Sequence, residues 1–142
     1  MKLRFFGVPL HPLLVHFPIA FWIMAPALDT AALSAGLEPW WTLALAATVL
    51  GLVTGAIAIA VGLLEYIQPS LAGIDTRLAA RHGVRTTLSW LVFAARLAAA
   101  LSLPLRQWTV ALCLLLDLLG TGLLAQGVYL GTRQVYQQLE DR

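Results

Sequence analysis

Four long apolar segments dominate the chain, and short polar breaks separate them. The segments cover residues 13–35, 41–66, 83–105 and 108–130, and each contains at least 23 residues. A helix needs about 20 apolar residues to cross the hydrocarbon core of a bilayer. No internal repeat is evident. The pattern predicts an all-α, four-helix transmembrane bundle in contact with the lipid bilayer, with residues 1–142 as a single domain.

The breaks between the segments differ in length. GLEP at residues 36–39 and the break at Pro104 predict tight turns, whereas residues 67–82 form a longer polar loop. Within that loop, the residues from Asp75 to Arg81 favour a short amphipathic helix.

Composition supports a membrane protein, since 60% of the residues are hydrophobic and 11% are charged. The formal net charge of +2 is small and scattered, so we expect no nucleic-acid partner. The cationic residues instead indicate topology, because lysine and arginine favour the cytoplasmic side. Both termini are therefore predicted to be cytoplasmic. Arg106 is expected on the other side of the membrane, and that interface is expected to hold Trp40, Trp41 and Trp108. The residues on the side of the termini are Lys2, Arg4, Arg77, Arg81, Arg85, Arg133 and Arg142.

Three charged residues fall at membrane depth: Asp29, Arg96 and Asp117. An ionisable group in hydrocarbon is costly unless it is paired or hydrated. The helical rise places Arg96 and Asp117 within reach of each other. We therefore expect a structural ion pair between Arg96 and Asp117, with Asp29 either joining it or facing the outer interface. A proton or ion path through these groups is the alternative.

Small and polar residues share one face on each of the last three predicted helices. Such faces let helix backbones approach closely, so they define the inside of a bundle or mediate association into a homo-oligomer. The three stripes are Gly51, Gly55, Ala58, Gly62 and Glu65; His82, Thr86, Ser89 and Arg96; and Cys113, Asp117, Gly120, Gly127 and Gly131.

The predicted topology gathers all three histidines and an acidic residue at the cytoplasmic surface: His11, His16, His82 and Glu65. Pro18 is expected to bend the first helix and to swing His16 toward the bundle interior. Pro18 and Pro26 each free a backbone carbonyl, and histidine side chains could donate to such carbonyls.

Three interpretations of these residues stay open. The histidines could be interfacial, donating hydrogen bonds to carbonyls and to Glu65 or contacting lipid headgroups. They could be axial ligands of a b-type haem, with His16 and His82 as the expected pair, His11 as the further candidate and glycines making room for the macrocycle. They could also bind a transition metal, with His11, His16, His82 and Glu65 as ligands.

Two function classes follow from these interpretations. One is a redox-associated membrane subunit with a redox-protein partner, and the other is a structural or assembly subunit without a cofactor. An enzyme in the ordinary sense is not expected, because the chain shows no nucleophile arrangement, no phosphate-binding glycine loop and no extramembrane domain for a polar substrate.

The chain contains the motifs HPLLVHFPIA at residues 11–20, GLLEYI at residues 62–67, RHGV at residues 81–84 and LGTRQVY at residues 130–136. These motifs resemble the bacterial family of predicted inner-membrane proteins called domain of unknown function 2231. The chain departs from the family pattern at Thr132 and Arg133, where the family tends to have glycine and an acidic residue. The resemblance implies a four-span protein of the bacterial inner membrane. Similar domains are joined to c-type cytochrome or Rieske-type modules, which implies an electron-transfer setting. The matching positions are His11, Pro12, His16, Phe17, Pro18, Glu65, Tyr66, His82, Leu130, Gly131, Val135 and Tyr136.

Overall fold

The computed structural model describes residues 4–67 and 76–140, which form a small β-hairpin followed by five helices. The strands pair antiparallel, and Phe6 and Gly7 between them both have positive φ angles, as in the tight turns that join twisted strands. The elements are β1 (Arg4–Phe5), β2 (Val8–Pro9), α1 (Leu10–Leu14), α2 (His16–Ala35), α3 (Trp40–Tyr66), α4 (Thr76–Ser102) and α5 (Gln107–Glu140).

Four helical stretches are long and apolar enough to cross a membrane: Leu10–Ala35, Trp40–Tyr66, Thr76–Ser102 and Gln107–Arg133. The prediction of an all-α bundle with four membrane-spanning helices is therefore confirmed. The side on which the termini lie stays a prediction. Of the residues used for it, Lys2 and Arg142 lie outside the described residues.

The third membrane helix begins earlier than the apolar pattern predicts. It starts at Thr76, so the short amphipathic helix expected up to Arg81 is the first part of α4 rather than a separate element. Asp75, where that helix was expected to begin, lies outside the described residues. The polar start of α4 is helical because the chain continues an α-helix more readily than it begins a new one.

Together α1 and α2 form the first membrane helix, because the backbone stays helical at Val15, whose N–H donates to the carbonyl of His11. Pro18 lies in the first turn of α2, where a missing backbone N–H is tolerated. Pro26 lies inside α2 and cannot donate to the carbonyl of Trp22. The hydroxyl of Thr121 on α5 donates to that carbonyl over 3.4 Å, so a threonine supplies the donor that we expected from a histidine.

The bundle contains two similar halves. The most extensive helix contacts join α2 to α3 and α4 to α5. In the first half Trp22 lies against Gly51 and Gly55 of α3, and in the second half Phe93 lies against Gly120 of α5. Each half therefore packs an aromatic ring from one helix onto the bare backbone of its partner.

Residue spacing in the two halves agrees. Eleven residues separate His11 from Trp22, and eleven separate His82 from Phe93. On each partner helix, a glycine is followed by small residues seven and eleven positions later. These positions are Gly51, Ala58 and Gly62 on α3, and Gly120, Gly127 and Gly131 on α5. The structure thus reveals an internal repeat that the hydrophobic pattern did not suggest.

The two halves run in the same direction through the bundle. Trp22 and Phe93 stack with ring centroids 4.6 Å apart and ring planes 3° apart, and both rings are almost fully buried. His11 and His82 meet at one end, so equivalent positions face each other twice along the bundle. This arrangement corresponds to a parallel repeat about an axis along the membrane normal.

Large apolar side chains cover the outside of the bundle. Leu50, Val53 and Ile57 on α3 are about half exposed, as are Leu118 and Leu119 on α5. Such a surface would be unusual on a soluble monomer, but it suits acyl chains. The apolar surface is therefore the surface that faces lipid.

A pair of glycine substitutions on α5 tests the ring-on-glycine contact. A Cβ atom at position 120 would lie 2.6 Å from Cε2 of Phe93, whereas a Cβ at position 122 would meet nothing within 4 Å. We expect Gly120→Ala to lower the free energy of unfolding by about 1–3 kcal/mol through overpacking. The control Gly122→Ala should be neutral or slightly stabilising, because alanine favours helix. Thermal unfolding in detergent, followed by circular dichroism, measures both; equal stabilities would contradict the contact.

Candidate functional site

Two of the three histidines meet at one end of the bundle. His11 on α1 and His82 on α4 have ring centroids 6.2 Å apart, and their ring planes are nearly perpendicular at 87°. They occupy equivalent positions in the two halves. The repeat therefore brings together two imidazoles that are far apart in the sequence.

Each imidazole is held by the same hydrogen bond. The Nδ1 of His11 lies 2.9 Å from the carbonyl oxygen of Ala58, and the Nδ1 of His82 lies 2.7 Å from that of Gly127. A carbonyl oxygen can only accept, so each Nδ1 must carry the proton. In the neutral ring this leaves a lone pair on Nε2, which is the arrangement that orients histidine ligands in metal and haem sites.

Each imidazole also lies on a glycine of the neighbouring helix. A Cβ atom at position 62 would lie 2.8 Å from Cε1 of His11, and one at position 131 would lie 3.0 Å from Nδ1 of His82. Gly62 and Gly131 therefore accommodate the imidazole rings themselves, rather than making room for a macrocycle as the sequence suggested.

Glu65 lies at the same end of the bundle, close enough to His11 to interact with it electrostatically. Its Oε1 atom is buried and accepts no hydrogen bond from the described part of the chain. A buried carboxylate oxygen without a donor is costly, so this atom has unused capacity to bind a ligand or a proton.

His16 does not join the pair. Its side chain is exposed, and its Nδ1 lies 3.4 Å from the carbonyl oxygen of Leu13 in the preceding turn. The expected swing toward the interior does not occur: the backbone stays helical through Val15, and residues five apart do not share a helix face, so His16 points away from the side that carries His11. His11, and not His16, is therefore the partner of His82.

The four-residue metal set of His11, His16, His82 and Glu65 does not come together either. Across residues 4–67 and 76–140, no group of three or more histidine, cysteine, aspartate and glutamate side chains is arranged to bind a metal ion. The donors that remain together are two imidazoles.

A second polar cluster lies deeper in the bundle. The Nη2 atom of Arg96 on α4 donates to both carboxylate oxygens of Asp29 on α2, each at 2.9 Å. The Nε atom of Arg96 lies 3.5 Å from Oδ1 of Asp117 on α5. All three side chains are fully buried. Asp29 is thus the closer partner of Arg96, although sequence reasoning paired Arg96 with Asp117 first.

Trp41 completes this cluster. The guanidinium carbon of Arg96 lies 5.0 Å from the centroid of the Trp41 ring, within the range of a cation–π contact. Trp41 is 7% exposed, whereas Trp108 is 55% exposed. Trp41 therefore packs inside the bundle against the arginine, whereas Trp108 faces outward, and the position of both rings at the membrane interface stays a prediction.

The Arg96 cluster is well suited to joining helices. It connects α2, α4 and α5 within the apolar part of the bundle, where removing one partner would leave a charge in hydrocarbon. Asp117 makes the longer contact with Arg96 and lies beside the carboxyl group of Asp29, and neither of its oxygens accepts a hydrogen bond from an N–H group in the described part of the chain. The two carboxylates are therefore not equivalent.

Sequence reasoning missed the acceptors and supports of the histidine pair. The acceptors are backbone carbonyls of Ala58 and Gly127, which no side-chain motif reveals. The signal that could have found them is the shared spacing of the two halves, in which a small residue stands at positions 58 and 62 and again at 127 and 131.

Comparison with known proteins agrees with this architecture. The family model described as predicted membrane protein DUF2231 matches residues 7–139. The chain belongs to this family. The match includes both histidines of the pair and all three charged residues of the deeper cluster. No curated protein and no solved structure matches the chain. DUF2231 is a family of unknown function, so a function for this member has to be argued from its own side chains.

Two matched substitutions test the inequality of the carboxylates. Asp29→Asn removes the charge that faces Nη2 of Arg96, and we expect it to cost about 3–5 kcal/mol of unfolding free energy, as for a broken buried pair. Asp117→Asn removes only the 3.5 Å contact with Nε and leaves both hydrogen bonds from Nη2 to Asp29 in place, so its cost should be clearly smaller. Unfolding by increasing SDS in mixed micelles measures both variants. A larger loss for Asp117→Asn would contradict this order.

Proposed function

We propose that this protein binds a b-type haem, which His11 and His82 would hold through their imidazoles, and that it acts as a redox-associated membrane subunit. The observation that carries the proposal is the pair of facing imidazoles, each held through Nδ1 by a backbone carbonyl. A haem iron with two imidazole ligands is a common electron-transfer centre in small membrane bundles.

The spacing of the two rings supports a shared central atom. A metal–imidazole bond is about 2.0–2.1 Å long and a ring nitrogen lies about 1 Å from its ring centre, so imidazoles on opposite sides of one metal have centres about 6 Å apart. The centroids of His11 and His82 are 6.2 Å apart. The rings therefore need little displacement to bind one iron.

The number of donors favours haem over a bare metal ion. A bare transition metal in a protein takes three or four protein ligands, whereas haem iron needs only axial ligands because the macrocycle supplies the other four. Within the described ranges only two imidazoles face each other, and no group of three or more such donors is found. The two histidines, one from each half, supply the two protein ligands that haem iron needs.

The chain's own residues position and polarise the ligands. The carbonyls of Ala58 and Gly127 keep the proton on Nδ1, which leaves the lone pair on Nε2 and makes each imidazole a stronger ligand. Gly62 and Gly131 let the rings lie against α3 and α5. When bound, haem supplies one-electron transfer.

The depth of the pair suits exchange of electrons with a partner outside the membrane. Along α4, His82 lies eleven residues before the stacked Phe93, which at 1.5 Å per residue is about 16 Å closer to the end of the bundle. Arg77, Arg81, Arg85 and Arg133 lie at this same end, and their number favours its placement on the cytoplasmic face of a bacterial inner membrane.

Histidine substitutions test the ligand assignment. Protein purified from haem-replete cells should show a Soret band that shifts on reduction with dithionite. We expect His11→Ala and His82→Ala to lose the band, while His16→Ala keeps it, because His16 faces away from the pair. Each variant should elute as a single folded species in detergent. Folded wild-type protein that stays colourless and takes up no added haem would overturn the proposal, as would loss of the band in His16→Ala alone.

A glycine pair tests the site without removing a ligand. Gly62→Ala pushes the His11 ring off α3, and we expect haem affinity to fall about 10- to 100-fold, as when the support of a ligand is lost. Gly83→Ala is the control, since a Cβ there meets nothing within 4 Å even though it adjoins His82. Titration of haem into apoprotein, followed at the Soret band, measures both. Unchanged affinity in Gly62→Ala would show that the ring position does not matter for haem.

A further inference from the structure

An open groove lies between α4 and α5, on the outside of the bundle. Its volume is about 740 Å³. Polar side chains from both helices line it, namely Arg81, Arg85, Gln126 and Tyr129, and Val84 and Leu130 form its apolar wall. The groove lies near the end of the bundle that holds His82, and it is separate from the space between the two imidazoles.

The two arginines of the groove are available to an external anion. Arg81 and Arg85 are four residues apart, so they lie on the same face of α4, and both are exposed. No carboxylate in the described part of the chain pairs with either of them. Arg96 on the same helix differs, because it is fully buried and paired with two aspartates.

The surroundings of these arginines suit the boundary between headgroups and acyl chains. Tyr129 is 65% exposed beside them, and tyrosine prefers the membrane–water interface. Val84 is 57% exposed in the same groove. A ligand in this groove would therefore have a charged part and an apolar part.

The polar residues of the groove occur in only one of the two similar halves. The positions equivalent to Arg81 and Arg85 in the first half are Leu10 and Leu14, 71 residues earlier, the same offset that relates His11 to His82. The position equivalent to Tyr129 is Ala60, by the offset of 69 residues that relates Gly62 to Gly131. Packing of the helix pair alone does not require a basic groove, since the first half packs without one.

We propose that this groove binds an anionic phospholipid, with its phosphate between Arg81 and Arg85 and an acyl chain along Val84 and Leu130. A guanidinium matches phosphate through paired N–H donors, and Gln126 and Tyr129 add further donors. Basic pockets between membrane helices are typical binding sites for acidic lipid headgroups. This proposal does not depend on the binding of haem.

Native mass spectrometry of the full chain in detergent tests the proposal. Phosphatidylglycerol and phosphatidylcholine are added in separate titrations, and we expect phosphatidylglycerol to bind more tightly. The double variant Arg81→Gln/Arg85→Gln should bind phosphatidylglycerol roughly 10- to 30-fold more weakly, since each cation near a headgroup contributes about fivefold. Arg81→Lys/Arg85→Lys should recover part of this loss. Arg106→Gln is the matched control, because it removes an exposed arginine at the opposite end of the bundle.

Three results would overturn the proposal. They are equal binding of the two lipids, an equal loss in Arg106→Gln and in the double variant, and displacement of phosphatidylglycerol by millimolar inorganic phosphate. The last result would indicate a site for a soluble phosphate. The Soret band of each variant is recorded in parallel, so a failure of haem binding is distinguished from a failure of lipid binding.

Discussion

The contact of an aromatic or imidazole ring with a bare glycine backbone organises this bundle. It occurs at Trp22, at Phe93 and at both paired histidines, and in each case a Cβ on the facing helix would collide with the ring. Helices in lipid gain little from burying apolar surface, so close packing has to hold them together. Because the glycines lie on α3 and α5, the rings of the other helices converge on the centre of the bundle.

The second constraint is that polar groups in lipid need internal partners. The histidines satisfy it at Nδ1 through the carbonyls of Ala58 and Gly127, and Arg96 satisfies it at Nη2 through Asp29, while Nε and Nη1 of Arg96 make no hydrogen bond within the described residues. The two solutions have different consequences. Hydrogen bonding at Nδ1 uses only one nitrogen of each imidazole, so Nε2 can still bind a ligand. The guanidinium of Arg96 and the two carboxylates, in contrast, interact with one another. The histidine end of the bundle is therefore suited to binding, and the arginine cluster is suited to joining helices.

The repeat explains why the two ends of the bundle differ. Where the halves carry the same residues, as at His11 and His82, the side chains meet as a pair. Where the halves differ, equivalent positions carry different chemistry. Thr48 of α3 is equivalent to Asp117 of α5, and both side chains are fully buried. The basic groove beside Arg81 and Arg85 belongs to one half alone. The matching positions of the two halves thus form the shared scaffold, and the positions that differ carry the charged cluster and the basic groove.

Hydrophobic length and composition were enough to predict four membrane helices, because any segment of about 20 apolar residues must satisfy its backbone hydrogen bonds internally in lipid. The free-energy cost of an unpaired charge in hydrocarbon was also enough to predict that Asp29, Arg96 and Asp117 interact. The tertiary structure decided which residues pair. His16 was the expected partner of His82, but His11 and His16 lie on different faces of the first membrane helix, and it is the face with His11 that meets α3 and His82. That choice depends on helix rotation and on backbone carbonyls of other helices, and residue types along a single chain do not encode either of them locally.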